Sequence, residues 1–227
     1  NYDGLKSQTY GGTTFLVHAA VGGSMAPADF GIGGGWGGLR VTKNFVNRFT
    51  DTNDKRGNFY TQGQPIEIND LGDFKNGYAF IKYKNVTSTG VSGSDKSGVF
   101  VDTDLPLYRL SDVYLMYAEA TLRGGNGSLS TALGYINALK TRAGAATISS
   151  GDLTLNFILD ERSRELSWEF TRRTDLIRFG LFTSSTYLWP WKGGVKDGKG
   201  VEDYRNLFPI PANDIVANRN LVQNPGY

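Results

Sequence analysis

RLSDVYLMYAEATLRGGNGSLSTALGYINALKTRAG, residues 109 to 144, reads as two amphipathic helices joined by a glycine-rich link. In the first half Leu110, Val113, Tyr114, Tyr117, Ala120 and Thr121 recur at intervals of three and four, which predicts one buried stripe on a helix that GGNG ends. Ser128 has the side chain an N-cap needs, and Leu129, Ala132, Leu133, Ile136 and Leu139 form a matching stripe that stops at Gly144. Helices of this length with so short a link fold back antiparallel as an αα-hairpin. The hairpin has the size of a helical repeat of about 34 residues, yet no second copy is visible. A lone repeat cannot bury its own faces. A third helix, expected from about Leu155 to Phe179, is available to cover it, as are partners outside the chain.

Away from this hairpin the periodicity weakens. TTFLVHAAV, Thr13 to Val21, alternates as a half-buried strand inside a Gly- and aromatic-rich segment of residues 1 to 38. Leu39 to Phe49 fits one short helix, with Leu39, Val41, Phe45, Val46 and Phe49 as its apolar positions. YAFIKYKNV, Tyr78 to Val86, alternates as a second strand, followed by the flexible connector TSTGVSGSDKSG. From Gly180 onward the chain is loop-rich with short helical turns and carries Pro190, Pro209, Pro211 and Pro225.

Composition narrows the function. With 24 Lys plus Arg against 22 Asp plus Glu the formal charge is only +2, which argues against a nucleic-acid binder. The absence of Cys removes disulfides, thiolate metal sites and a Cys nucleophile, and a single His makes a His-based metal site or a Ser-His-Asp triad improbable. No apolar run approaches the roughly 20 residues of a membrane helix. NYDGLKSQTYGG is no signal peptide, and an opening without Met points to a mature product or a fragment. Thirty Gly, roughly twice the usual ~7%, and 13% aromatics imply ordered loops held by rings.

Several motifs have competing readings. GIGGGWGG contains a formal G-x-G-x-x-G at Gly33, Gly35 and Gly38, but no strand precedes it and no βαβ unit follows, so nucleotide binding is rejected. Glu161, Glu165 and Glu169 are spaced by four on the third helix among Arg162, Arg164, Arg172, Arg173 and Arg178. Acid/base chemistry would suit clustered carboxylates, yet Glu161 can meet Arg164, Glu169 can meet Arg172 and Arg173, and Asp175 can meet Arg178. Arginine-paired carboxylates have lowered pKa values and make poor general acids, so a structural ion-pair network is expected, tying this helix to neighbouring loops. His18 reads as a hydrogen-bonded core residue. Asp51, Asp54, Asp70 and Asp73 follow no calcium-loop pattern, and neither a metal nor a cofactor is implied.

Aromatic residues on Gly-rich loops are the candidate binding groups. Tyr10, Phe30 and Trp36 offer flat apolar area that suits a sugar ring or a peptide, with Asp29 and Gln8 as polar partners for hydroxyls. The alternative is that they pin irregular backbone, Trp36 lying buried against the helix that begins at Leu39. For Trp189 and Trp191 of YLWPWKGG, packing is the expected role.

DLPLYRLSDVYLMYAEATLRGG, YINALKTRAG, ILDERSRELSWEFTRRTDLIRFG and LFPIPANDIVANRNLVQNPGY together resemble the C-terminal part of the SusD/RagB family, and GGWGGLRVTKNFVNRF and NGYAFIKYKN extend the resemblance upstream. It departs at Phe170 and Thr171, where the family usually has Gly then His or Arg. The resemblance implies a mainly α fold, the C-terminal part of a tetratricopeptide-like scaffold with loop-rich segments and short β-hairpins. It implies one domain over residues 1 to 227: loop-rich with short strands to 100, helical from 101 to 180, and loop-rich from 181 to 227. It implies a Bacteroidetes surface lipoprotein, not an enzyme, that binds oligosaccharide and passes it to a SusC-type TonB-dependent outer-membrane transporter. The lipid-bearing Cys, the signal peptide and most repeat hairpins are then expected before Asn1. SQTYGGTTF, GGGWGGLR, RRTDLIRFG and YLWPWKGG are similar to the starch-binding branch, which points to a glucan. A peptide-binding lid of the RagB kind is the second reading and a glycosidase the third, though a glycosidase needs two carboxylates about 5 to 10 Å apart in an open cleft.

Overall fold

A computed structural model describes residues 3 to 227. Its regular structure is mainly helical: α1 (Gly4–Ser7), α2 (Gly12–Ala19), α3 (Lys43–Val46), α4 (Leu110–Leu122), α5 (Leu129–Arg142), α6 (Leu155–Glu165), α7 (Arg172–Arg178) and α8 (Ala212–Ala217). Two strands, β1 (Phe59–Tyr60) and β2 (Ala79–Phe80), pair antiparallel with Phe59 opposite Phe80. The chain divides into two compact units, Asn1–Phe170 and Thr171–Tyr227.

In the first unit α4 and α5 form the expected hairpin. Gly124, at φ 92, takes the left-handed turn that ends α4, and Gly125 N–H closes on the Ala120 carbonyl at 2.9 Å. The Tyr117 hydroxyl accepts the Ser128 N–H at 2.9 Å, and Ser128 Oγ then caps α5. Leu115, Ala118, Ala132, Ile136 and Leu139 bury against Leu153 and Ile158, so α6 covers the hairpin. The buried face of α4 differs from the expected stripe. Ser111, Leu115, Ala118 and Glu119 face inward, whereas Leu110 and Val113 are exposed and Tyr114 is only half-buried. At the edge of that core Tyr114 stacks on Tyr135 of α5 at 4.2 Å.

Four further expectations are corrected. Residues 13 to 21 form helix α2 with the turn that follows it, not a strand. Thr13, Leu16, Val17, Ala20 and Val21 are buried at helical spacing, and Phe15, which strand alternation would bury, is exposed. The helix expected over Leu39 to Phe49 is only α3, because Val41 instead pairs with Tyr78 in an isolated bridge. The strand expected over Tyr78 to Val86 keeps regular pairing only at β2. The fourth correction concerns the long helix, which breaks into α6 and α7: Trp168 and Phe170 adopt left-handed φ values of 59 and 61. This reversal lets Trp168 meet Phe80 edge-on at 5.3 Å and Glu169 reach Lys82.

A second core in the same unit joins Val17 and Val21 of α2 to Met25, Phe30, Ile32, Ala79 and Val101. In the second unit Arg173 lies over Phe208 at 3.9 Å. There Gln223 also exchanges both of its amide bonds with the backbone of Ile210 at 2.8 and 2.9 Å.

Candidate functional site

The Gly-rich loop of residues 33 to 39 runs along the C-terminal end of α2. Trp36 N–H donates to the His18 carbonyl at 2.8 Å, Gly37 to Val21 at 2.9 Å, and Gly38 and Leu39 to Ala19 at 2.9 and 2.7 Å. These bonds satisfy carbonyls that a helix end otherwise leaves open. Glycine is required at residue 35, where a Cβ would run into the Val21 carbonyl oxygen. The loop therefore holds Trp36 at a fixed height above α2.

The indole of Trp36 lies on the imidazole of His18, centroids 4.8 Å apart and planes 23° apart. His18 is buried, and its Nδ1 donates to the Gly34 carbonyl at 2.7 Å. The lone histidine thus ties α2 to the same loop and supports the tryptophan from below. Tyr10 and Phe15 flank Trp36 at 6.4 and 6.2 Å. Exposures of 61%, 45% and 46% for Tyr10, Phe15 and Trp36 leave three adjoining rings open to solvent.

Phe100 supports Tyr10 from the side at 5.1 Å. Asp95 orders its loop by accepting from the N–H groups of Ser97, Val99 and Phe100 at 2.9, 3.1 and 2.9 Å and from the Ser97 hydroxyl at 2.6 Å. The Ser97 hydroxyl and the Phe100 N–H hold the Asp95 carboxyl down at about 2, so it is an anion at neutral pH.

Of the five residues singled out in the sequence, Tyr10 and Trp36 come together. Phe30 does not join them: at 5% exposure it is part of the second core, under Lys84. Asp29 is exposed on the Pro27–Phe30 turn, and Gln8 is exposed as the left-handed C-cap of α1, two residues before Tyr10. Phe15 and Phe100 were not singled out. Strand alternation would have buried Phe15, and no local pattern marks Phe100.

The carboxylate cluster forms a separate, buried assembly. Arg56 donates to Glu161 and Glu165, both at 2.8 Å, and is paired with Asp54. Glu165 also receives Arg109 and Arg142 at 2.5 and 2.6 Å, while Glu169 receives Arg109 at 2.7 Å together with Lys82. Burial pushes the Glu165 carboxyl up, but the Arg109, Arg56 and Arg142 guanidinium groups outweigh it and hold the group at about 2. Asp54 is likewise lowered, burial being outweighed by Arg56. Glu161 with Arg164 and Asp175 with Arg178 pair at the expected spacing. The observed partners of Glu169 are distant in sequence, where the spacing pointed to Arg172 and Arg173. Arg173 donates to the Arg205 carbonyl.

Residues 69 to 227 match the model of the SusD family. The chain belongs to the SusD family. This SusD-family chain is 42% identical over 162 residues to the starch-binding protein SusD of Bacteroides thetaiotaomicron, an alignment that takes in 71% of the chain and 28% of that protein. It is 31% identical over 194 residues to SusD-like protein P2 of Formosa agariphila, covering 80% of the chain and 36% of the relative. The chain thus spans about a third of the length of these curated relatives. Surface glycan-binding protein A from Bacteroides thetaiotaomicron, solved in complex with laminarihexaose, superposes with a TM-score of 0.61 at 27% identity over 84% of the chain and 42% of that structure. A SusD superfamily protein from Bacteroides vulgatus shares the fold over 91% of the chain with a TM-score of 0.61. The mainly α fold is therefore that of the SusD superfamily. Phe100 and the carboxylate network from Lys82 onward lie within the family match, and Tyr10, Phe15 and Trp36 precede it.

Proposed function

We propose that this chain contributes to a cell-surface glycan receptor, with Tyr10, Phe15 and Trp36 as the stacking surface for a glucan. The observation that carries this reading is the set of three adjoining, half-open rings held by the Gly-rich loop and His18. Rings so placed offer rigid apolar area to the faces of successive sugars at little entropic cost. A starch-binding relative at 42% identity and a similar structure holding laminarihexaose support an oligosaccharide ligand. Exposed Gln8 and Asp29 are the polar partners in this reading for sugar hydroxyls. In this reading the protein acts at the outer-membrane surface, anchored by a lipid outside this chain, and hands its ligand to a SusC-type TonB-dependent transporter. It binds without catalysis. The buried Asp54 and Glu165 are held low by arginines, the opposite of the raised carboxylic acid that glycoside hydrolysis needs.

Calorimetry of the complete protein against glucans, fructans and peptides tests the reading. Glucan binding is expected, and Tyr10→Ala and Trp36→Ala should each weaken it at least tenfold, about 1.4 kcal/mol, with the melting temperature retained. A preference for peptides would favour the RagB-like alternative. Unchanged glucan affinity in both variants would move the platform elsewhere.

A further inference from the structure

A second site is formed entirely within the Thr171–Tyr227 unit. A cavity of about 520 Å³ is lined by Phe182, Trp189, Lys199, Glu202 and Arg205. Small-molecule sites occupy roughly 300–1,000 Å³. Its loop is unusually constrained. Trp191, Gly193, Gly194 and Gly198 all have left-handed φ values, between 65 and 80, a strained conformation for a tryptophan. The ammonium of Lys192, buried beneath, donates to the carbonyls of Ser184 and Tyr187 at 2.5 and 2.8 Å and lies 4.5 Å from the centre of the Trp189 ring. Strain this firmly held fixes the position of Trp189 and carries Lys199 to the cavity wall.

The charges define what fits. Lys192 is turned onto carbonyls, which leave its charge in place, and Glu202 pairs with Arg205 at 3.2 Å, so the lining carries an excess of positive charge with Lys199 as its exposed member. The N–H groups of Lys192, Gly194, Gly198 and Lys199 all close on carbonyls of the same loop, so these do not form the backbone cradle that binds a phosphate dianion. An aromatic wall beside an excess of positive charge suits an anionic ligand whose ring has an apolar face.

We propose that this cavity binds an acidic sugar residue, its ring against Trp189 and its carboxylate or sulfate on Lys199 and Arg205. The choice of a sugar over other ring-bearing anions rests on the glycan reading above; the preference for a negative charge does not.

The test is titration of the ¹⁵N-labelled whole chain, followed by NMR, with methyl glucuronide, glucose 6-sulfate and neutral methyl glucoside at low salt. At least one charged sugar should bind tenfold or more tightly than methyl glucoside and shift the Trp189 indole N–H signal, and the one preferred identifies the anion. Lys199→Gln, at an exposed position, should reduce the preference below threefold without lowering the melting temperature. Trp36→Ala should leave it intact, even where neutral glucan binding is lost. An unmoved Trp189 signal, equal affinity for charged and neutral sugars, or a preference that survives Lys199→Gln would each overturn the proposal.

Discussion

Glu169 accepts from Lys82 and Arg109 with a side chain only 6% exposed. Glu169→Ala would leave the half-buried Lys82 ammonium, held otherwise by the Ser167 and Glu165 carbonyls, without its carboxylate, and burial already lowers its pKa against the pull of Glu169. Removing one partner of such a pair costs about 3 kcal/mol. Urea unfolding should show that loss, with glucan affinity of the folded protein unchanged; a variant of normal stability that no longer binds would reassign Glu169 to the site. Glu165 makes the stability pH-dependent. Its folded value of about 2 lies below the ordinary 4.5, so its contribution is complete above about pH 4.5 and is lost as pH falls toward 2. Between pH 7 and pH 3 this group alone should remove about 2 kcal/mol. Glu165→Gln should be less stable at pH 7 and lose correspondingly less on acidification, as measured by urea midpoints at both pH values.

At the scale of elements, the turn between α6 and α7 decides which side chains meet. Phe170 adopts φ 61 with 71% of its surface exposed, so it accepts left-handed strain with little burial in return. Left-handed backbone costs a residue with a Cβ about 1–2 kcal/mol, and glycine returns roughly 0.5–1 kcal/mol of that as unfolded-chain entropy. Phe170→Gly should therefore stabilise the protein by up to about 1 kcal/mol, raising the melting temperature by a few degrees. A drop in scanning calorimetry would mean that the phenyl ring makes a contact worth more than the strain. The sequence resemblance already marked this position, since the related pattern has Gly where this chain has Phe170.

Across the molecule, the hairpin core and the aromatic platform are separable. Ile136 has no exposed surface and packs among Leu115, Ala132 and Ile158. Ile136→Ala should cost about 2–5 kcal/mol while leaving glucan affinity below the melting temperature unchanged. The platform variants should do the reverse. Parallel thermal melts and calorimetry on the three proteins check this, and loss of binding in the Ile136 variant would show that the platform depends on the hairpin. Among the described residues no helix is long and apolar enough to cross a membrane.

The sequence alone was enough for the α4–α5 hairpin, its Ser128 cap and glycine stops, the Glu161–Arg164 and Asp175–Arg178 pairs, and the family. Each depends on residues within a few positions of one another or on motif order. Tertiary structure decided the rest. Residues 13 to 21 are buried on nearly every side, so alternation and helical period could not be told apart until the 33–39 loop covered the end of α2. Phe15 went to the surface for the same reason, and Phe30 joined a core with Ala79 and Val101 from far along the chain. The partners of Glu165 come from Arg56, Arg109 and Arg142, at separations of 109, 56 and 23 residues. No local spacing encodes such contacts, because they are selected by the burial of charge when separate loops and helices close on one another.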